Sequence, residues 1–504
     1  MKRLLGILLL GLGALSMVAV SPANLPSAAQ SGGSDLIEIK VTGDPADLLF
    51  GRSVSLDGDT GVVGACCGFP GFGNAAHVFV RDGVEWVEQA KIKAADVQDG
   101  DTFGESVALD GDTIVVGAHR QNDFTGSAYV FVRSGTTWTE EAKLTASDGT
   151  PGDLFGDAVS IDGDTAVIGA RRADSNAGAA YVFVRTGTSW SQQAKITSPN
   201  ASPNEEFAFS VSVHGDTMLA GAISSNSTPG RAGSAYLFTR AGTSWSHQAE
   251  LIPAVVPEGY GREVSVDGDT AIVGVLKASL VPSAYVFTRT GSSWMEQAKL
   301  EPPPLAAPLP VNSVSLDGNT AAIGLGSGGC NPGESVHVFT RTGSAWQLQR
   351  SLFGSDADRC TTFGWSVSVS DGTFLVGDER GNAAYFFGPG IQVGIDIVPG
   401  SPQNTINLGS NGVVSVAILS AADFDATTVD PSTVVLSGAT VRLRGNGILA
   451  TTVRDVDGDS LPDLIVQVAT EALELSNGET QAVLNAMTVD GLAVRGFDVV
   501  TIVR

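Results

Sequence analysis

The densest group of metal-ligand side chains in this sequence is Asp455-Val456-Asp457-Gly458-Asp459-Ser460-Leu461-Pro462-Asp463-Leu464. Asp455, Asp457, Asp459 and Asp463 stand at positions 1, 3, 5 and 9 of a tight loop, and the Leu461 carbonyl stands at position 7. A hard cation such as Ca²⁺ takes roughly six to eight oxygens, and this spacing lets four carboxylates and a carbonyl converge on one. Four acids this close also repel one another unless something neutralises them. Ser460 sits where a sharp bend favours glycine. The competing reading is a solvated hairpin turn around Asp457-Gly458.

Acid–base chemistry is harder to assemble. The chain has five histidines. His77 and His337 hold the strand position occupied elsewhere by Tyr129, which is a structural place. His214 is in a turn, and His247 matches Glu140 of another repeat. Only His119, with Arg120 and Asp123, is in a variable loop, and no nucleophile accompanies it. No catalytic residues are assigned, and no enzyme is expected. Of four cysteines, Cys66 and Cys67 are adjacent and their pairing is open. Cys330 and Cys360 fall on one face of neighbouring repeats, which allows a disulfide between them; other connectivities remain.

The elements that position these groups follow from a repeat. Ser106-Val107-Ala108-Leu109-Asp110-Gly111-Asp112-Thr113-Ile114-Val115-Val116-Gly117-Ala118 recurs seven times, with its first Val at 54, 107, 159, 211, 264, 314 and 367. The gaps are 53, 52, 52, 53, 50 and 53 residues. Alternation up to Asp110, a two-residue Asp-Gly turn and a β-branched run predict a hairpin. Two more strands follow, as at Ala128–Arg133 and Trp138–Leu144. Four antiparallel strands per unit make one propeller blade. The seventh unit lacks its fourth strand after Gly388-Pro389-Gly390, and a spare strand lies at Leu36–Val41. That spare strand is expected to complete the last blade and close the ring.

Phe-Gly before the first strand (Phe50-Gly51, Phe103-Gly104, Phe155-Gly156, Phe363-Gly364) and Gly-Ala after the second (Gly64-Ala65, Gly117-Ala118, Gly169-Ala170, Gly221-Ala222) resemble the FG-GAP repeat of integrin α-chain propellers and of bacterial exported proteins. The resemblance covers about residues 36–390 and implies a seven-bladed β-propeller. The chain departs from it in two ways. No proline follows Gly-Ala, and no blade carries an Asp-x-Asp-x-Asp-Gly calcium loop, so metal sites in the blades are not expected. The Asp455–Asp463 loop does resemble the calcium loop of such repeats.

The whole is expected to be all-β: a leader at 1–29, the propeller at 36–390, and a small C-terminal β-sandwich at 391–504 holding the calcium loop. Lys2-Arg3 followed by apolar Leu4–Val20 reads as a signal peptide, cleaved after Ala23 or Ala29, with no membrane span thereafter. Export to the cell surface or medium follows from it. The net charge of −25 argues against nucleic acid as a partner.

Two repeated features read as structural. The Asp-Gly-Asp pairs tolerate His214 and Asn319, as a turn does and a ligand set does not. The six in-phase tryptophans (Trp86, Trp138, Trp190, Trp245, Trp294, Trp346) read as packing within or between blades, and Trp365, beside Phe363-Gly364, as the exposed aromatic. The short Asp-Gly turns occupy one face, and loops of variable length occupy the other. The expected function is binding of an extracellular protein or glycan by the variable face, an adhesion-type role implied by the resemblance. The alternatives are a propeller hydrolase or lyase and a structural envelope or matrix component.

Overall fold

The structure is a computed structural model. It describes residues 36–503 apart from 45, 67–73, 224–232, 258, 276–281, 305–308, 327–332, 356–360, 402 and 477–479. The leader at 1–29 and the Cys330–Cys360 pair lie outside the described residues.

The repeats form a β-propeller arrangement. Six copies are separate four-stranded antiparallel sheets, spanning residues 50–92, 107–144, 155–196, 207–251, 260–300 and 311–352. In each, an Asp-Gly or related turn joins the first two strands, and a two-residue Gly turn joins the last two. The β-branched second strands, such as Thr113–Ala118 and Thr165–Ala170, are buried along their whole length because a blade packs on either side.

The seventh copy is not a sheet of its own, which corrects the expectation of seven separate blades. Ser366–Ser370 pairs with Thr373–Asp378, which pairs with Ala383–Ile397, and Leu36–Thr42 adds to that strand from Leu36↔Pro389 to Thr42↔Ala383. The strand Ala383–Ile397 does not stop at Gly390. Through residues 390–394 it runs parallel to Ala493–Val499, and through 395–397 it pairs with Val413–Ile418. The four strands are thereby absorbed into an eleven-stranded sheet that continues into the C-terminal region. That region has its own core, including Ile397, Val416, Val434, Leu436, Val466, Leu484 and Val494.

The repeated sequence positions act across the interfaces between blades. The two glycines of the motif meet there. A Cβ on Gly64 would lie 2.0 Å from the Gly104 carbonyl oxygen, and one on Gly117 would lie 2.0 Å from that of Gly156. Only glycine permits this approach. The turn aspartates hydrogen-bond the next turn: Gly111 N donates to Asp57 (2.7 Å), Gly163 N to Asp110 (2.6 Å), Gly318 N to Asp267 (2.6 Å) and Asp371 N to Asp317 (2.7 Å). Gly58 N donates to Ser370 Oγ at 3.0 Å, linking first and last copies in the same manner.

The in-phase tryptophans are inter-blade packing. Trp138, Trp190, Trp245, Trp294 and Trp346 each donate Nε1 to a Gln or Glu of the preceding blade at 2.8–3.1 Å. An arginine of the same blade covers each ring. Trp86 instead stacks on Phe386, with centroids 4.0 Å apart and 9° between planes.

Candidate functional site

The first strand of most blades begins with a break in register. Phe155 pairs with Ala170, but the next pair is Ala158↔Gly169, so Gly156 and Asp157 bulge out. The same shift occurs between Phe50 and Ser53, Phe207 and Ser210, and Tyr260 and Glu263. Bulges re-aim side chains. Here the buried aromatic is held in the blade, as Phe155 is at 5.4 Å edge-to-face from Tyr181, and the residue two further on is aimed inward.

Six such residues and Asn312, which directly follows Val311 at a shorter bulge, surround a central cavity of about 520 Å³, one per copy: Arg52, Glu105, Asp157, Phe209, Arg262, Asn312 and Trp365. The residues that follow them form a second tier. It reads Ser53, Ser106, Ala158, Ser210, Glu263, Ser313 and Ser366, so a single carboxylate replaces the small residue found in the other six. Valines such as Val54 and Val107 lie beneath. Arg171, directly after a Gly-Ala, also reaches the cavity.

The upper tier is a ring of ion pairs. Arg52 contacts Glu379 at 2.8 Å and Glu105 at 3.0 Å, and its guanidinium lies 4.8 Å from the Trp365 ring centroid. Arg171 contacts Asp157 at 2.7 Å and Glu206 at 3.3 Å. Phe209 carries two guanidinium groups, Arg171 at 5.1 Å and Arg262 at 5.0 Å. Arg262 Nε is 3.6 Å from Glu263 Oε1, too far for a hydrogen bond, and it has no hydrogen-bond partner among the described residues. Burial pushes the Glu263 carboxyl up to about 7.

His119 is buried behind this ring, 3.2 Å from Thr102 Oγ1 and 3.6 Å from both Glu105 and Asp157. Burial lowers its pKa, so it is largely uncharged at neutral pH. His77 lies between Asp47 and Glu88, and His337 between Ser335 and Ser351, both inside blades. The loops after Ala118 and Ala170 make tight turns in which Asn122, Asp123 and Phe124, and likewise Asp174, Ser175 and Asn176, have positive φ. Asn and Asp tolerate that conformation best, and the exposed Phe124 and Ser175 are the exceptions.

The acidic loop lies away from this cavity. It joins Thr451–Arg454 to Asp463–Ala469. Asp455, Asp457 and Asp463 each bring an oxygen within 4.8 Å of the others, and Asp463 is fully buried. Asp459 is not in this group; its Oδ1 accepts from Leu461 N at 2.7 Å. Asp455 accepts from Gly458 N and Ser460 N, and Asp463 from Ser420 N and Val456 N. Ser460 takes φ +74°, so the bend that favours glycine is made by serine. All-oxygen donors of this kind suit calcium.

Sequence reasoning singled out Trp365 and His119 near the cavity but missed the other ring members. The available signal was the position after Phe-Gly, or its equivalent in the copies that lack the pair: its seven residues are of six types, whereas the strand positions around it, Glu263 apart, are apolar or small.

Residues 86–131, 138–183 and 190–238 match the FG-GAP repeat family. Each span begins at the tryptophan of one blade's outer strand and ends in the third strand of the next blade. The protein is thus a β-propeller carrying FG-GAP repeats. No curated protein matches the chain.

Proposed function

We propose that this protein is an exported, cell-surface or secreted binding protein that presents the variable-loop face of a seven-bladed propeller to an extracellular protein or glycan. The seventh blade in this reading is the set of strands 366–370, 373–378, 383–389 and 36–42. The bond from Gly58 to Ser370 and the stacking of Trp86 on Phe386 support that count. In it the N-terminal strand closes the ring, and the C-terminal strands form a sandwich fused to it.

The observation that carries the reading is the cavity ring. A propeller scaffold that needed only to be stable could fill the centre with small or apolar side chains. Here seven structurally equivalent positions hold three different charged types, an amide and two aromatics. Variation at equivalent sites on a regular scaffold marks a recognition surface. Calcium held by Asp455, Asp457 and Asp463, with Asp459 and the Leu461 carbonyl nearby, would fix the C-terminal loop.

The test is binding of the mature chain to immobilised glycans and matrix proteins. At least one partner is expected, and its binding should be lost when residues 121–125 are replaced by Gly and Ser. Binding to none, or binding indifferent to that replacement, overturns the reading.

A further inference from the structure

The cavity ring is not uniform in how its cations are satisfied. Arg52 and Arg171 each rest against two carboxylates. Among the described residues Arg262 has Glu263 alone, at 3.6 Å; its Nε, like that of Arg171, is closed to solvent and without a hydrogen bond. Arg262 lines the cavity and keeps a quarter of its side chain exposed although Nε is covered, so the rest of its guanidinium is open to an anion where its one carboxylate lies beyond hydrogen-bond distance. Its planar fork suits a carboxylate in particular.

The surroundings narrow the class of molecule. Phe209 has guanidinium groups of Arg171 and Arg262 against its ring, and Trp365 has that of Arg52. With guanidinium groups already on these rings, the cavity offers mostly hydrogen-bonding edges: guanidinium N–H donors, the carboxylates of Glu105 and Asp157, and Asn312. A ligand matching these has one carboxylate and several hydroxyls. About 520 Å³ accommodates one or two sugar rings.

We propose that the central cavity is a subsite for an acidic sugar, with its carboxylate on Arg262 and its hydroxyls on the neighbouring ring residues. The proposal rests on the reading that this face binds ligand and specifies the chemistry at its centre. Glu263 makes the site pH-sensitive. Arg262 is beside it on its own strand, and the charges of Arg52 and Asp157, which line the same cavity, also act on it. A ligand carboxylate beside it favours its protonated form, so binding takes up a proton and tightens as pH falls through about 7.

The experiment is calorimetric titration of the full mature chain with digalacturonic acid and with the neutral disaccharide, at pH 6 and pH 8. The acidic sugar is expected to bind at pH 6, with the neutral one weaker by about tenfold or more. Arg262→Gln should weaken binding by about tenfold or more, and Arg262→Lys should restore part of it. Glu263→Ser, which installs the residue found in most other blades, should remove the pH dependence. Thermal melts of each variant report whether it is folded. Equal affinity for the neutral sugar, binding unchanged in Arg262→Gln, or an N-acetylated dipeptide binding as tightly as the acidic sugar would overturn the proposal. Binding to an arrayed partner with no effect of acidic sugar or Arg262 refutes the subsite alone. Arg262-dependent sugar binding without any loop-dependent partner supports the subsite and refutes the wider reading of the face.

Discussion

Gly377 lies against Gly51: a Cβ placed on Gly377 would be 2.0 Å from the Gly51 carbonyl oxygen. These residues come from the last and first repeats, yet they stand as Gly117 stands to Gly156 within the array. Gly377→Ala should therefore be as harmful as Gly117→Ala, each costing about 3 kcal/mol because backbone, not a flexible side chain, is in the way. Gly111→Ala meets nothing within 4 Å and pays only for its positive φ, about 1 kcal/mol. Thermal unfolding of the three variants checks the order. A mild Gly377→Ala would mean that the first and last repeats do not pack as the others do.

Ala208 is the exception that should be improvable. It holds the Phe-Gly glycine position of its blade at φ +61°, where Gly51, Gly104 and Gly156 take φ near +92° to +94°. An L-residue is strained there. Ala208→Gly is expected to stabilise by roughly 1 kcal/mol, read as a higher denaturant midpoint at unchanged slope.

Removing residues 36–42 takes away a full strand and the buried Ile37 and Ile39. At roughly 1 kcal/mol net per hydrogen bond, plus the lost packing, the loss should be several kcal/mol. An unchanged melting temperature would show that this strand does not secure the last repeat.

Glu263 gives the fold a pH dependence of predictable sign. Its carboxyl is raised in the folded protein, so its contribution is fully present below the unfolded value of about 4.5 and is lost as pH rises through about 7. Relative to Glu263→Ser, the wild type should lose on the order of 3 kcal/mol between pH 4 and 8. The comparison of the two unfolding curves across that range isolates this residue from the other acids.

Calcium should raise the melting temperature of the intact chain, and Asp457→Ala should abolish the rise. The variant's calcium-free stability should shift by less than about 1 kcal/mol, since Asp457 is exposed. Calorimetry detecting no heat with Ca²⁺ would leave the loop as a turn held by its own hydrogen bonds.

Much of this architecture could be read from the chain. Period, turn chemistry and the Phe-Gly and Gly-Ala pairs led to blades, and the assignment of the Asp-Gly-Asp turns and in-phase tryptophans to structure agrees with their contacts between blades. The spare strand at Leu36 was recognisable because the last unit lacked a partner. Two things were not legible. Gly388-Pro389-Gly390 looked like an ending, but Pro389 lies opposite Leu36 in the ladder, and the strand runs on to Ile397. The cavity ring was hidden because a bulge, invisible in a pattern of alternation, turns Arg52, Asp157 and Arg262 inward.

The unbroken strand Ala383–Ile397 also governs how the two ends of the molecule transmit force. Glu85, on the outer hairpin of the first blade, is hydrogen-bonded by Asn485 and ion-paired with Arg495 at 3.2 Å, adding a second strut beside it. A tether pulling from the C-terminal region would load these ladders in shear, along the strand, and would not peel them open pair by pair. The cavity would hold a fixed bearing relative to the C-terminal sheet, with no swivel between them.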